Sequence, residues 1–260
     1  TGGSDSTSGN TIFGYLAGED IASGGLDNTY FGHNAGNQNT TGDNNTYVGS
    51  NAGEGVNGNA NSNNTAVGRD ALLVVTTGSE NTVIGSQAGD ALVGGANNAV
   101  VGRSALSVST AATQCVAVGQ SALGDGDVTA AAVGTVGIGM HALLSLTSGI
   151  GNVAIGYQSL DAAATSDYNT AVGHQSLSAV NGNGAAGSTA VGYKAGLAIT
   201  DATYSTAIGY QALLAEDQGD KTTAIGAAAF EFQNNGTGDT GNTGVGYAVG
   251  YRNVTGTNNT

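Results

Sequence analysis

The chain has 260 residues, 46 of them glycine and none proline or tryptophan, and only 9 % are charged, against about 25 % in an ordinary globular domain. Its formal net charge of −14, with five Lys and Arg in all, excludes nucleic-acid binding, which needs basic clusters on phosphates, and argues equally against docking on anionic lipid. The single cysteine, Cys115, excludes an internal disulfide framework and a Cys-based zinc site; no apolar run approaches the ~18 residues of a membrane span, so no membrane insertion is expected in this segment.

Glycine-rich, charge-poor chains are often disordered, but 39 % of this one is apolar and Val, Ile and Thr are plentiful. Aromatics are scarce, with 10 Tyr and 4 Phe, so a thin core of small side chains fits better than one wide core. A string recurs from the first residues onward: Asn-Thr-small-aliphatic-Gly, two variable residues, Ala, then Gly or Leu. In chain order its glycines are Gly14, Gly32, Gly49, Gly68, Gly85, Gly102, Gly119, Gly139, Gly156, Gly173, Gly192, Gly209, Gly226 and Gly246, at spacings of 17 to 20 residues. Residues 1–260 therefore form a single repeat domain of about 14 coils, about 17 residues each.

Each column of the repeat implies an environment. The residue before the glycine is apolar throughout, from Phe13 and Phe31 to Ile225 and Val245, and is expected to be core. Two residues earlier stands Thr, or Val at Val116, Val136 and Val153 and Ala at Ala99; strand side chains alternate with period two, so this column shares the expected core face. The residue between them is then expected on the opposite face. It is small at Ala66, Ala117, Ala154, Ala171, Ala190, Ala207 and Ala224, which reads as a self-association face, and larger at Ile12, Tyr30 and Tyr47, so that an interface would tighten toward the C-terminal end. The glycine marks a bend or a close approach. Alternation after it, as in Leu72 and Val74 or Leu106 and Val108, predicts a second short strand, and a Gly-, Asp- and Asn-rich loop such as Gln218-Gly219-Asp220 closes the unit.

Two short strands cannot bury an apolar face alone, but stacked on like neighbours they form a continuous core. The expected fold is an all-β parallel β-solenoid, a β-roll, with like strands paired about 4.8 Å apart and a rod on the order of 65 Å long. The Asn column, including Asn10, Asn81 and Asn169, is expected to stack as a ladder in which each amide bonds the next coil.

The strings Asn64-Thr65-Ala66-Val67-Gly68, Asn152-Val153-Ala154-Ile155-Gly156 and Ser205-Thr206-Ala207-Ile208-Gly209 resemble the head repeats of trimeric autotransporter adhesins, the YadA-like family. Similar repeats occur in phage tail fibres and large bacterial surface proteins. The family repeat is about 14 residues, shorter than this one. The resemblance implies a left-handed β-roll, three chains side by side, and a role in surface attachment.

No constellation for catalysis emerges: there is no Ser-His-Asp arrangement, nucleophile elbow or phosphate loop, and Gly134-Thr135-Val136-Gly137 is repeat material. The chain is expected not to be an enzyme and to need no cofactor or metal. His33 and His174 follow the repeat glycine, where Tyr15, Tyr157, Tyr193, Tyr210 and Tyr247 also occur, and this interchange, with that of His141 elsewhere, reads as exposed surface rather than metal ligation. Asp125 and Asp127 flank Gly126 only once, so no repeated calcium loop is present. Cys115 stands in the Asn column and is expected to be a small buried residue. A regular Thr column can bind ice from a flat face, but its sharing a face with the core aliphatics predicts that it points inward. The Tyr193, Tyr210 and Tyr247 column offers carbohydrate binding.

Asn259-Thr260 begins the next Asn-Thr string in register, and Thr1 lies in repeat-like material, so the segment is expected to be a window on a longer fibre. The sequence thus points to a structural or adhesive segment of an extracellular fibre, on a cell surface or a virion, with itself as partner and a surface glycan or matrix protein as ligand. A filament without specific ligand, and a glycan- or ice-binding solenoid, are the alternatives.

Overall fold

The computed structural model describes residues 8–21, 24–56, 58–130, 132–181, 185–234, 236 and 238–260; Thr1 lies outside them. It is a parallel β-solenoid of about 17 residues per turn, with no helix among the described residues. The chain divides into two compact units, Thr1–Val133 and Gly134–Thr260.

The first unit carries β1 (Thr11–Phe13), β2 (Thr29–Phe31), β3 (Thr46–Val48), β4 (Thr65–Val67), β5 (Thr82–Ile84), β6 (Ala99–Val101) and β7 (Val116–Val118). Each pairs in parallel with the next and in register, so Thr65, Ala66 and Val67 face Thr82, Val83 and Ile84. The second unit carries β8 (Val136–Ile138), β9 (Val153–Ile155), β10 (Thr170–Val172), β11 (Thr189–Val191), β12 (Thr206–Ile208), β13 (Gly219–Asp220), β14 (Thr223–Ile225), β15 (Gly238–Asp239) and β16 (Thr243–Val245). Its three-residue strands pair in the same way, and the two-residue strands β13 and β15 pair with each other. Like residues thus lie over like residues in each unit, which is what a sequence repeat dictates once coils stack.

Coil-to-coil hydrogen bonds do not stop at the strands. Thr65 N–H donates to the Asn81 carbonyl at 2.8 Å and Gly85 N–H to that of Val67 at 2.8 Å; beyond the strand, Gln87 N–H donates to Arg69 at 2.9 Å and Gly89 N–H to Ala105 at 2.9 Å. This satisfies backbone groups that would otherwise be stranded in turns.

The residues after the glycine do not form the expected second strand. They turn, with left-handed backbone at alternate positions, such as Asp70 (φ 57°) and Leu72 (φ 52°), where no extended strand is possible. Leucine in this conformation costs about 1–2 kcal/mol. Full burial of its side chain returns about 1.5–3 kcal/mol, and Leu72, Leu106, Leu123, Leu143, Leu160 and Leu213 are all completely buried.

The repeat glycines are required twice over. Gly68 has φ 137°, and a Cβ built on it would sit 2.5 Å from the carbonyl oxygen of Gly85 in the next coil. Gly49 stands in the same relation to Gly68, and Gly209 to Gly226, each at 2.5 Å. A side chain at these positions would force neighbouring coils apart, whereas at Gly246 a Cβ would meet nothing within 4 Å.

The asparagine ladder forms as expected. In the first unit Asn10 Oδ1 accepts the backbone N–H of Asn28, and the same bond repeats through Asn45, Asn64, Asn81 and Asn98 at 2.8–3.1 Å, ending on the N–H of Cys115 at 2.9 Å. Each Nδ2 also finds a carbonyl in the closing loop, as Asn81 does at Gly95 (2.9 Å). In the second unit Asn152 receives Asn169 N–H at 3.0 Å, and Asn169 receives Ser188 N–H at 3.0 Å. Cys115 is buried, as its column predicts.

The faces of the strand are the reverse of those expected. The middle residue points inward and the two flanking residues point out. Ala66, Ala117, Ala154, Ala171, Ala190, Ala207 and Ala224 are all 0–1 % exposed and line the coil interior, so they form no self-association face. The supposed core column is outside: Phe13 is 65 % exposed and Val245 69 %. Parity explains the inversion. The buried Asn and the strand's middle residue are spaced by two, so an inward Asn carries the middle residue inward with it.

Interior volume is shared between two columns. Where the strand's middle residue is Tyr30, Tyr47 or Val83, the position four after the glycine is Gly36, Gly53 or Gly89; where it is Ala66, Ala117, Ala154, Ala171 or Ala207, that position is Leu72, Leu123, Leu160, Leu177 or Leu213. A Cβ on Gly36 would lie 2.6 Å from the Tyr30 ring. Ala190 with Gly196 breaks the rule, and Ile199 and Leu177 fill the space, 3.0 and 2.9 Å from a Cβ built on Gly196. Most coils hold one large side chain at this level, as close packing favours, but Val100 and Leu106, both fully buried, share one coil.

Candidate functional site

With the alanines inside, each unit presents a continuous outward strand face of two columns. One column is mostly Thr, with Ala99, Val116, Val136 and Val153 in four strands, half-buried or exposed; the other is Phe, Val or Ile. In the first unit Phe13 stacks on Phe31 with centroids 5.1 Å apart, and Ile84 and Val101 follow in the same column. In the second unit Ile155, Val191 and Ile208 are each 36–37 % exposed, and no described element covers them. The expectation that the Thr column points inward is overturned with that of the core: Thr11, Thr29, Thr82 and Thr243 are exposed.

Just past the glycine lies the aromatic column. In the second unit Tyr157, His174, Tyr193 and Tyr210 form one stack, with successive centroids 4.9, 5.4 and 5.3 Å apart. His141 leans on Tyr157 at 6.4 Å, and Lys194 Nζ lies 5.3 Å from the Tyr193 ring centroid. In the first unit Tyr15 stacks on His33 at 5.7 Å. The histidines thus stack on tyrosines at the surface, and no group of three His, Cys, Asp or Glu able to hold a metal occurs among the described residues.

Some acidic loop residues tie coils together. Asp43 Oδ1 accepts Leu26 N–H at 2.7 Å, Asp127 that of Thr110 at 3.0 Å, Asp167 that of Ile150 at 2.8 Å, and Asp220 that of Thr203 at 2.6 Å. Asp43, Asp167 and Asp220 all stand six residues before a repeat glycine, a regularity the sequence carries openly.

Sequence reasoning passed over one buried carboxyl. Glu216 is fully buried, accepting Gly219 N–H at 2.8 Å and Gln233 Nε2 at 2.8 Å, while Gln233 Oε1 accepts Asn242 Nδ2 at 2.9 Å. It lies seven residues past its glycine, the column of Val75, Leu92, Leu146, Val180 and Ile199. A polar group in an apolar column was the available signal. Its partners make it a structural rung of the interior.

Comparison with family models, with curated proteins and with solved structures returned no match. No described helix is long and apolar enough to cross a membrane. The candidate site is therefore defined by surface alone: the outward Thr-and-aliphatic face and the aromatic column beside it.

Proposed function

We propose that this chain is a segment of an extracellular fibre, from a bacterial surface adhesin or a virion tail fibre, whose work is mechanical. Coils locked by backbone, asparagine and aspartate hydrogen bonds resist shear along the stack, and the loops are free to be displayed. The outward strand face supports lateral association, with three left-handed coils side by side as the resemblance implies. The observation that carries this reading is the aliphatic column of Ile155, Val191 and Ile208, β-branched hydrocarbon left facing water on a continuous strand face. Such a stripe is stabilised by a second copy of itself.

Light scattering on the isolated chain tests it: a mass near a multiple of 25.1 kDa is expected, and a monomer at tens of micromolar would overturn the association. Ile155→Lys with Ile208→Lys should dissociate the assembly while leaving the far-UV circular dichroism unchanged, because both side chains point away from the core.

The outward Thr column supports a second reading, ice binding. Hydroxyl and methyl groups repeating about every 4.8 Å through Thr170, Thr189, Thr206, Thr223 and Thr243 suit an ordered water lattice. Inhibition of ice recrystallisation by the full chain, lost in Thr206→Tyr, is the outcome this reading requires.

A further inference from the structure

The aromatic column of the second unit lacks one rung. Tyr157, His174, Tyr193 and Tyr210 stack at successive spacings of 4.9–5.4 Å; the next coil has Ala227 at that place, and the one after has Tyr247. The backbone does not skip: Ala228 N–H donates to the Tyr210 carbonyl at 2.9 Å, and Ala248 N–H to that of Ala227 at 2.8 Å. Only a side chain is missing, so the rings of Tyr210 and Tyr247 stand two coils apart, about 10 Å. Between them lies an open cleft of about 530 Å³ with Ala227 at its floor, Gln211, Glu231 and Tyr251 along its sides, and Tyr251 held edge-on against Phe232 at 4.9 Å.

We infer that this cleft binds one neutral pyranose ring of a glycan, sandwiched between Tyr210 and Tyr247. The width selects the occupant. A flat aromatic plate touching both walls needs only about 7 Å and would sit loosely, whereas a puckered saturated ring with hydrogens on both faces is thicker and contacts both. The rim selects it again. The Gln211 amide and the Glu231 carboxylate offer hydrogen bonds to ring hydroxyls, while an apolar aromatic would leave them unused. Charge excludes acidic sugars: Glu231 is the one charged side chain lining the cleft, and the whole chain carries −14. This deepens the glycan-binding alternative, and its test is separate from that of the fibre reading, since sugar titration does not depend on the assembled mass.

The experiment titrates the full chain with neutral methyl hexopyranosides and their trisaccharides, and separately with phenol, following tyrosine fluorescence and saturation-transfer NMR. Saturable sugar binding in the millimolar range is expected. Ala227→Tyr restores the rung with the residue its column already carries at Tyr193 and Tyr210, so it should fold and weaken sugar binding by about tenfold or more, the loss of two ring contacts. Tyr247→Ala removes one wall and should weaken binding several-fold, deciding the matter if Ala227→Tyr fails to fold. Ala227→Ser should bind like the parent. No sugar binding, equal binding by Ala227→Tyr and the parent, or binding of phenol alone would each overturn the proposal.

Discussion

Asn81 Oδ1 accepts two hydrogen bonds from Asn98, one from its backbone N–H at 3.1 Å and one from its Nδ2 at 2.9 Å. Both donors are buried, so the acceptor cannot be replaced by water. Asn81→Ala should therefore lower the unfolding free energy of the first unit by about 1–3 kcal/mol, chiefly the desolvation of the Asn98 backbone N–H, since Asn98 Nδ2 keeps its 2.7 Å bond to the Ala112 carbonyl. Urea titration followed by circular dichroism checks this, and an unchanged midpoint would show that the ladder contributes nothing.

The repeat glycines separate steric from conformational cost. Gly58 has φ 80° with nothing within 4 Å of a built Cβ, whereas Gly68 has φ 137° and its Cβ would meet a backbone carbonyl of the next coil. Gly58→Ala should cost about 1–2 kcal/mol, left-handed strain alone. Gly68→Ala should cost several times more or prevent folding. Equal thermal midpoints for the two variants would refute the coil-spacing argument.

The shared interior volume predicts coupling between distant sequence positions. Ala66→Val should cost little, about 1 kcal/mol, since Val100 and Leu106 already share one coil interior, and Leu72→Gly should leave a cavity costing about 2–5 kcal/mol, reduced by relief of the left-handed backbone. The double variant recreates the Val83 and Gly89 pair of the next coil. It should be more stable than the sum of its parts by about 1–3 kcal/mol in a double-mutant cycle.

Burial pushes the Asp90 carboxyl above the ordinary carboxylate range, the nearby Asp70 charge adds to this, and backbone hydrogen bonds at Asp90 and Ala91 oppose it. Its Oδ1 is buried without a hydrogen-bond partner. A raised folded-state value favours the protonated form, so this contribution to stability is present in acid and is lost as pH rises through the raised value. Asp90→Asn should raise the melting temperature near pH ~7 and change it little near pH ~3. A pH-independent difference would rule out the titration.

Tyr30 and Tyr47 stack inside the first unit with centroids 5.3 Å apart, and burial raises both phenols well above their ordinary value of 10.0. Their contribution is intact below that value and is lost as pH climbs beyond it, because ionising them in the unfolded chain is easier. Alkaline titration should show two tyrosines ionising only as the first unit unfolds. Tyr47→Phe, which removes one phenol and its hydrogen bonds to Asn45 and Asn61, should leave one such tyrosine.

Much of this was legible in the residues. The glycine period gave the coil length, homotypic columns gave the parallel register, and a recurrent Asn named the ladder. The inward face is hard to read because Thr has the shape of Val and carries a methyl beside its hydroxyl, so the flanking Thr and Val pass for a hydrophobic pair while the small Ala between them gives little signal. Two further signals carried the answer: the parity shared by Asn and Ala, and the exchange of Tyr30 and Gly36 for Ala66 and Leu72. The second strand failed because alternation after the glycine, as at Leu72 and Val74, arises as readily from alternating left-handed turns as from extended chain.

The sequence by itself determined that like residues stack on like, since the Asn-to-glycine string keeps its length in every unit and the spacing of 17 to 20 residues varies only outside it. Only the tertiary structure decided which columns face inward. A coil this narrow is filled by the strand's middle residue and the residue four after the glycine, so the two flanking residues of each strand are turned outward. The same stacking leaves Ala227 as a gap in the tyrosine column, because a position that looks merely small in the chain becomes a cleft once its neighbours above and below carry rings.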